Sequence, residues 1–189
     1  MTAIRLATFA TAVALACTAA TILPAAAQSA APAMSNAKPG SAMNTDTFVR
    51  TAALSNQFEI ESSKIALQKA KGDDVKAFAQ QMIDDHTKAG QDMQAALRQA
   101  SITMPAPAED KQHQAMLDRM SKSSNVDVEY VQAQVKAHQE AVQLFQSYAS
   151  NGDNAPLKQF ASNTLPTLQK HLQHVQDLAR GQNKKTTSR

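Results

Sequence analysis

The 189-residue sequence has no tryptophan and only two tyrosines and six phenylalanines. Aromatic and β-branched side chains favour pleated sheets, so their scarcity beside many Ala, Gln and Met residues argues for helices. Gly (5) and Pro (7) are few and fall mostly outside the periodic segments. The single cysteine, Cys17, lies in the N-terminal leader. A processed chain therefore has no thiol, which excludes disulfides, thiolate catalysis and Cys-ligated metals together. Neither sign of charge dominates. The formal net charge is +3, and Arg5 of the leader supplies one unit of it, leaving 18 Lys and Arg against 16 Asp and Glu. No basic stripe with interleaved aromatics is present, so nucleic acid is not an expected partner, and the pI near 9.0 does not alter that.

One long hydrophobic run occurs, from about Leu6 to Leu23. With Arg5 before it and Ala25-Ala26-Ala27 after it, residues 1–27 read as an export signal cleaved after Ala27. Two alternatives are an uncleaved membrane anchor and a lipoprotein processed at Cys17, which ends a loose Ala14-Leu15-Ala16-Cys17 box. With cleavage after Ala27 the expected destination is the periplasm or the outer envelope, with no strong membrane partner; either alternative would keep the chain attached to a membrane. Residues 28–45, rich in Ala, Ser, Pro and Gly without periodicity, read as a flexible linker.

Residues 46–180 carry helical periodicity in four long segments. The first spans about Asp46–Lys71, with Asp46 as cap and Gly72 as stop; the second follows at once, about Asp74–Ala100, capped by Asp73 or Asp74. A third opens at Asp127 and ends at Asn151-Gly152, and the last starts with Pro156 in its first turn and stops at Gly181. Between the two pairs lies a Pro-punctuated link and a short helix, about Glu109–Lys122, whose His113 reads as exposed. The short turns make each pair an αα-hairpin, giving an antiparallel four-helix bundle with an extra helix in the crossover. Residues 181–189 read as a disordered basic tail.

Each long segment interrupts its apolar face with one polar group. Glu59 lies opposite the wet side of the first, with Ala52, Ser55, Ser62, Ser63 and Ala66 around it. His86, His138 and His171 fall on the faces of the others. Asp85 projects about 100° from His86 and reads as solvated. Each of the four lies some 13 to 17 positions from its own turn, about 20–25 Å at 1.5 Å per residue, so partners within a hairpin are level. The crossover decides whether the two pairs share that level. Three imidazoles and a carboxylate suit one Zn, Cu, Fe or Mn ion. They equally suit a metal-free hydrogen-bonded network. Met82 and Met93 read as core filler rather than copper ligands. No activated nucleophile, phosphate loop or complete acid/base pair appears, so an enzyme is the less expected reading.

The segments Phe58-Glu59-Ile60-Glu61, Phe78 through His86, Tyr130 through His138, and Leu165-Pro166 followed by His171 resemble the exported bacterial family called domain of unknown function 4142. The resemblance implies a ferritin-like four-helix bundle over about residues 46–180, with Glu59, His86, His138 and His171 at the family's recurring polar positions; it implies no activity. Ile83, Val135 and Leu168 stand three residues before the three histidines. The Glu-x-x-His pairs of di-iron bundles are therefore missing, and ferroxidase chemistry is not expected.

Overall fold

The structure is a computed structural model that describes residues 43–106 and 110–187. The segments read as export signal (1–27) and most of the linker (28–45) lie outside the described residues, as does Glu109. The described chain is all-helical: α1 (Thr45–Lys69), α2 (Asp73–Gln99), α3 (Lys111–Lys122), α4 (Val126–Asn151) and α5 (Ala155–Thr187). Among the described residues no helix is long and apolar enough to cross a membrane.

Side-chain caps set the starts of α1, α3 and α5, whereas α2 and α4 begin without one. Asn44 accepts from the Thr47 amide at 3.2 Å, so α1 begins before Asp46, which instead sits in the polarised first turn. Gly72 is the N-cap of α2 rather than the stop of α1, which ends at Lys69. The turn between them is clamped by Asp127 of α4, whose carboxylate accepts from the amides of Lys71 (2.9 Å) and Gly72 (2.7 Å). A Cβ at residue 72 would lie 2.9 Å from that carboxylate, so only glycine lets it approach. Asp110 caps α3 through the His113 amide, and Asn154 caps α5 through the Leu157 amide.

The helix α5 does not stop at Gly181 but runs to Thr187, against the expected disordered tail. A glycine within a helix costs about 1 kcal/mol relative to alanine and ends the helix only where the chain turns left-handed. Here the Gln182 amide reaches the Asp127 carbonyl at 3.1 Å and ties the extension to α4. His113, expected exposed, is largely covered: its ring stacks on Phe58 at 4.3 Å.

The four long helices pack in a closed cycle, α1 on α2, α2 on α5, α5 on α4 and α4 on α1, and α3 lies against α1 and α4. Two apolar clusters fill the ends. One holds Phe48, Val49, Met93, Phe145, Tyr148 and Phe160, with Phe48 stacked on Tyr148 at 3.9 Å. The other holds Phe78, Met82, Met120, Tyr130, Val131 and Val175. Met82 and Met93 thus fall in opposite clusters. On every long helix the stretch between the clusters is polar yet buried: Glu59, Ser62, Ser63, His86, Gln134, His138 and His171. That layer is where the chemistry lies.

Candidate metal centre

The structure brings the three histidines to one level. Their ring centroids form a near-equilateral triangle: His86 to His138 5.6 Å, His86 to His171 5.5 Å and His138 to His171 5.4 Å. One ring nitrogen of each lies within 4.8 Å of the other two. Nitrogens bound at 2.0–2.1 Å around a tetrahedral ion are ~3.3 Å apart, so small side-chain movements inward are needed to close on one ion.

The outer nitrogen of each ring meets an acceptor, which sets its tautomer. His86 Nδ1 faces Asn56 Oδ1 at 3.0 Å and Glu59 Oε2 at 3.1 Å. His138 Nδ1 donates to the Gln134 carbonyl at 3.0 Å, with Glu59 Oε1 at 3.6 Å. His171 Nε2 donates to Asp85 Oδ2 at 2.8 Å. The remaining nitrogens, His86 Nε2, His138 Nε2 and His171 Nδ1, carry lone pairs, are buried, and find no hydrogen-bond partner in the protein. Glu59 Oε1 and Gln134 Oε1 share that condition. All five are acceptors.

Glu59 therefore occupies a different place from the one expected of it. It lies behind the His86 and His138 rings, on their Nδ1 side, and the converging set consists of the three imidazoles. Ser62 and Ser63 surround it: both hydroxyls donate to the Glu59 carbonyl, and Ser62 Oγ also accepts from Gln134 Nε2 at 2.9 Å. Ser63 Oγ lies 2.9 Å from the Tyr130 hydroxyl. A cavity of about 20 Å³ touches Asn56, Glu59, His86 and Thr164. That is room for roughly one water-sized ligand beside the layer.

Two residues escaped the sequence reading. Asp85 is not simply solvated; it bonds His171 while keeping 38% of its side chain exposed. Asn56 sits one turn before Glu59, and its contact with His86 has no signature in spacing alone.

Burial governs the electrostatics. It pushes Glu59 up to about 8. Burial, then the neighbouring His138 and His171, hold His86 well below the ordinary imidazole range. Burial and His171 bring His138 down to about 4, with the Gln134 carbonyl opposing. Burial lowers His171, against the pull of Asp85. Near neutral pH the site thus presents three uncharged imidazoles, the protonation state that metal ligation requires.

A model of the family described as Domain of unknown function (DUF4142) matches residues 23–178. The chain belongs to this family. No curated protein matches the sequence. Among solved structures, the chain is similar to CopM in the Cu(II)-bound form, with 19% identity and a TM-score of 0.64 over 74% of this chain and 98% of that one. CopM in an Ag-bound form gives 18%, 0.61, 74% and 97%. A DUF305 fragment from Deinococcus radiodurans gives 14%, 0.62, 74% and 99%. At such identities the likeness is one of fold, a helical bundle.

Proposed function

We propose that this DUF4142 protein is an exported metal-binding bundle that holds one transition-metal ion on His86, His138 and His171, with Glu59 and Asn56 orienting His86, the Gln134 carbonyl orienting His138 and Asp85 orienting His171. The observation that carries the reading is the set of five buried acceptors without a protein donor. A self-sufficient hydrogen-bond network needs donors among its members, and leaving a buried polar group unpaired costs about 1–3 kcal/mol. A proton on Glu59 turns only one of the five into a donor. A cation answers all three imidazole lone pairs at once, and nitrogen donors suit Zn, Cu, Fe or Mn.

The outer acceptors follow the pattern in which a ligating imidazole gives its other N–H to a carboxylate or carbonyl. The architecture that fits the helix packing is an antiparallel, ferritin-like four-helix bundle with α3 in the crossover. A bundle of related fold occurs in Cu(II)- and Ag-bound forms in CopM, which supports the reading at the level of fold. Residues 1–27 supply the export signal of this proposal, placing the protein in the periplasm or outer envelope.

The second reading is a non-catalytic envelope bundle with a metal-free polar layer, favoured by the Ser62–Gln134 and Ser63–Tyr130 hydrogen bonds. Elemental analysis and thermal shift separate the two. The native protein is expected to take up about one ion and to melt higher with it, and a His86→Ala/His138→Ala double variant to do neither. Indifference of both proteins to Zn²⁺, Cu²⁺, Fe²⁺ and Mn²⁺ rejects metal binding.

A further inference from the structure

His171 differs from the other two imidazoles in what holds its outer nitrogen. His86 and His138 turn Nδ1 towards groups within the bundle: Asn56, Glu59 and the Gln134 carbonyl. His171 turns Nε2 to Asp85, whose carboxylate reaches the solvent. Two carboxylates therefore contact three rings, one from the core and one from the rim. Glu59 is the only fully buried acid among the described residues.

We propose that Glu59 and Asp85 together match the site to a divalent cation, and that Asp85 is the residue that discriminates against monovalent ions. The inference rests on the metal-binding reading above and deepens it. Three neutral imidazoles contribute no charge. A doubly charged ion held by them alone leaves two units of charge uncompensated in a layer flanked by apolar clusters, and buried net charge is strongly disfavoured. With the Glu59 proton displaced by the bound ion, one carboxylate cancels a monovalent ion; a divalent ion requires both. Asp85 also acts through the ring it holds, since a charged acceptor on Nε2–H makes Nδ1 a stronger donor and fixes its direction. The converging atoms are all imidazole nitrogens, with no thiolate among them to favour a soft monovalent ion.

The two carboxylates differ in one further respect. Glu59 is enclosed, whereas the charge of Asp85 is exposed to screening by salt. The Asp85 share of the discrimination is therefore the share that ionic strength reduces.

The test is competition titration of the full-length protein with Zn(II), Cu(II) and Ag(I) against chromophoric chelators, for wild type, Asp85→Asn and Asp85→Ala. Asparagine keeps an oxygen for His171 and removes only the charge. Asp85→Asn is expected to weaken Zn(II) and Cu(II) by about 10-fold or more and Ag(I) by less than about 3-fold. Asp85→Ala, which also frees the ring, is expected to weaken all three. Glu59→Gln keeps the shape of the protonated acid but cannot become a carboxylate when an ion binds, and should give the same split, which keeps the idea testable if an Asp85 variant misfolds. Equal losses for all three ions in Asp85→Asn, or no loss, overturn the inference alone. A wild-type protein that takes up none of the three overturns the metal reading and this inference with it.

Discussion

Glu59 Oε2 lies 3.1 Å from His86 Nδ1, and both side chains are almost completely buried. Burial keeps the Glu59 proton on up to about pH 8, whereas an unfolded glutamate has released it by about pH 4.3. Between those values the folded chain binds the extra proton. Its stabilising contribution is complete below the unfolded value and is lost as pH rises through 8. Glu59→Gln, matching the protonated shape, is expected to remove that slope, about 1 kcal/mol per pH unit between pH 7 and 8 in metal-free protein. Urea unfolding of the two proteins at pH 7 and 8 measures it; parallel losses contradict the burial argument.

On the acid side the sign reverses. His138 titrates at about 4 when folded and near 6.5 when unfolded, and burial displaces His86 and His171 in the same direction. Between these values the unfolded chain binds more protons, so stability falls as pH drops through that window. Three imidazoles outweigh the single opposing carboxylate. Metal-free protein should therefore be most stable near neutral pH and lose of order 1–3 kcal/mol per unit between pH 6 and 5. An unfolding midpoint unchanged from pH 7 to 5 would show that the imidazoles are not held neutral.

His138→Leu separates folding from ligation. Leucine fills similar volume, and the Gln134 carbonyl keeps its place in the helix, so metal-free stability should change by less than about 1 kcal/mol. The metal-dependent gain should vanish. At 100-fold excess over Kd a native-state ligand adds about 2.7 kcal/mol. Calorimetric melts with and without Zn²⁺ report both quantities. A variant that still gains the full increment removes His138 from the site.

The helices and the polar layer were legible because each rests on a local pattern. Glu59, His86, His138 and His171 interrupt apolar faces, and periodicity alone turns them inward. Their common level was not legible, because it depends on how the α3 segment sets one hairpin against the other. Asp85 was missed for a related reason. Its 100° offset from His86 does point it off the core face, but the adjacent helix there is α5, and the offset delivers it to His171. Glu59 was legible as a buried residue, but its position on the Nδ1 side of His86 and His138 was not, since side-chain torsions decide which nitrogen a carboxylate meets.

Two glycines that both read as helix stops are predicted to behave oppositely when replaced by alanine. Gly152 follows α4 with φ −63° and ψ 149°, a conformation alanine adopts freely, so backbone entropy alone predicts a gain of about 0.4–1 kcal/mol. Sterics decide otherwise. A Cβ there would lie 2.7 Å from the Tyr148 ring and 2.7 Å from its carbonyl oxygen. Tyr148 cannot retreat: it stacks on Phe48, and its hydroxyl lies 2.5 Å from Thr45 Oγ1 and 3.3 Å from Asp153. Gly152→Ala should cost about 1–3 kcal/mol, the usual range for overpacking. Gly181 lies inside α5 with nothing within 4 Å of an added Cβ, so Gly181→Ala should stabilise by up to ~1 kcal/mol. Paired urea titrations check both, and a Gly152→Ala midpoint at or above wild type would mean that the Tyr148 cluster yields.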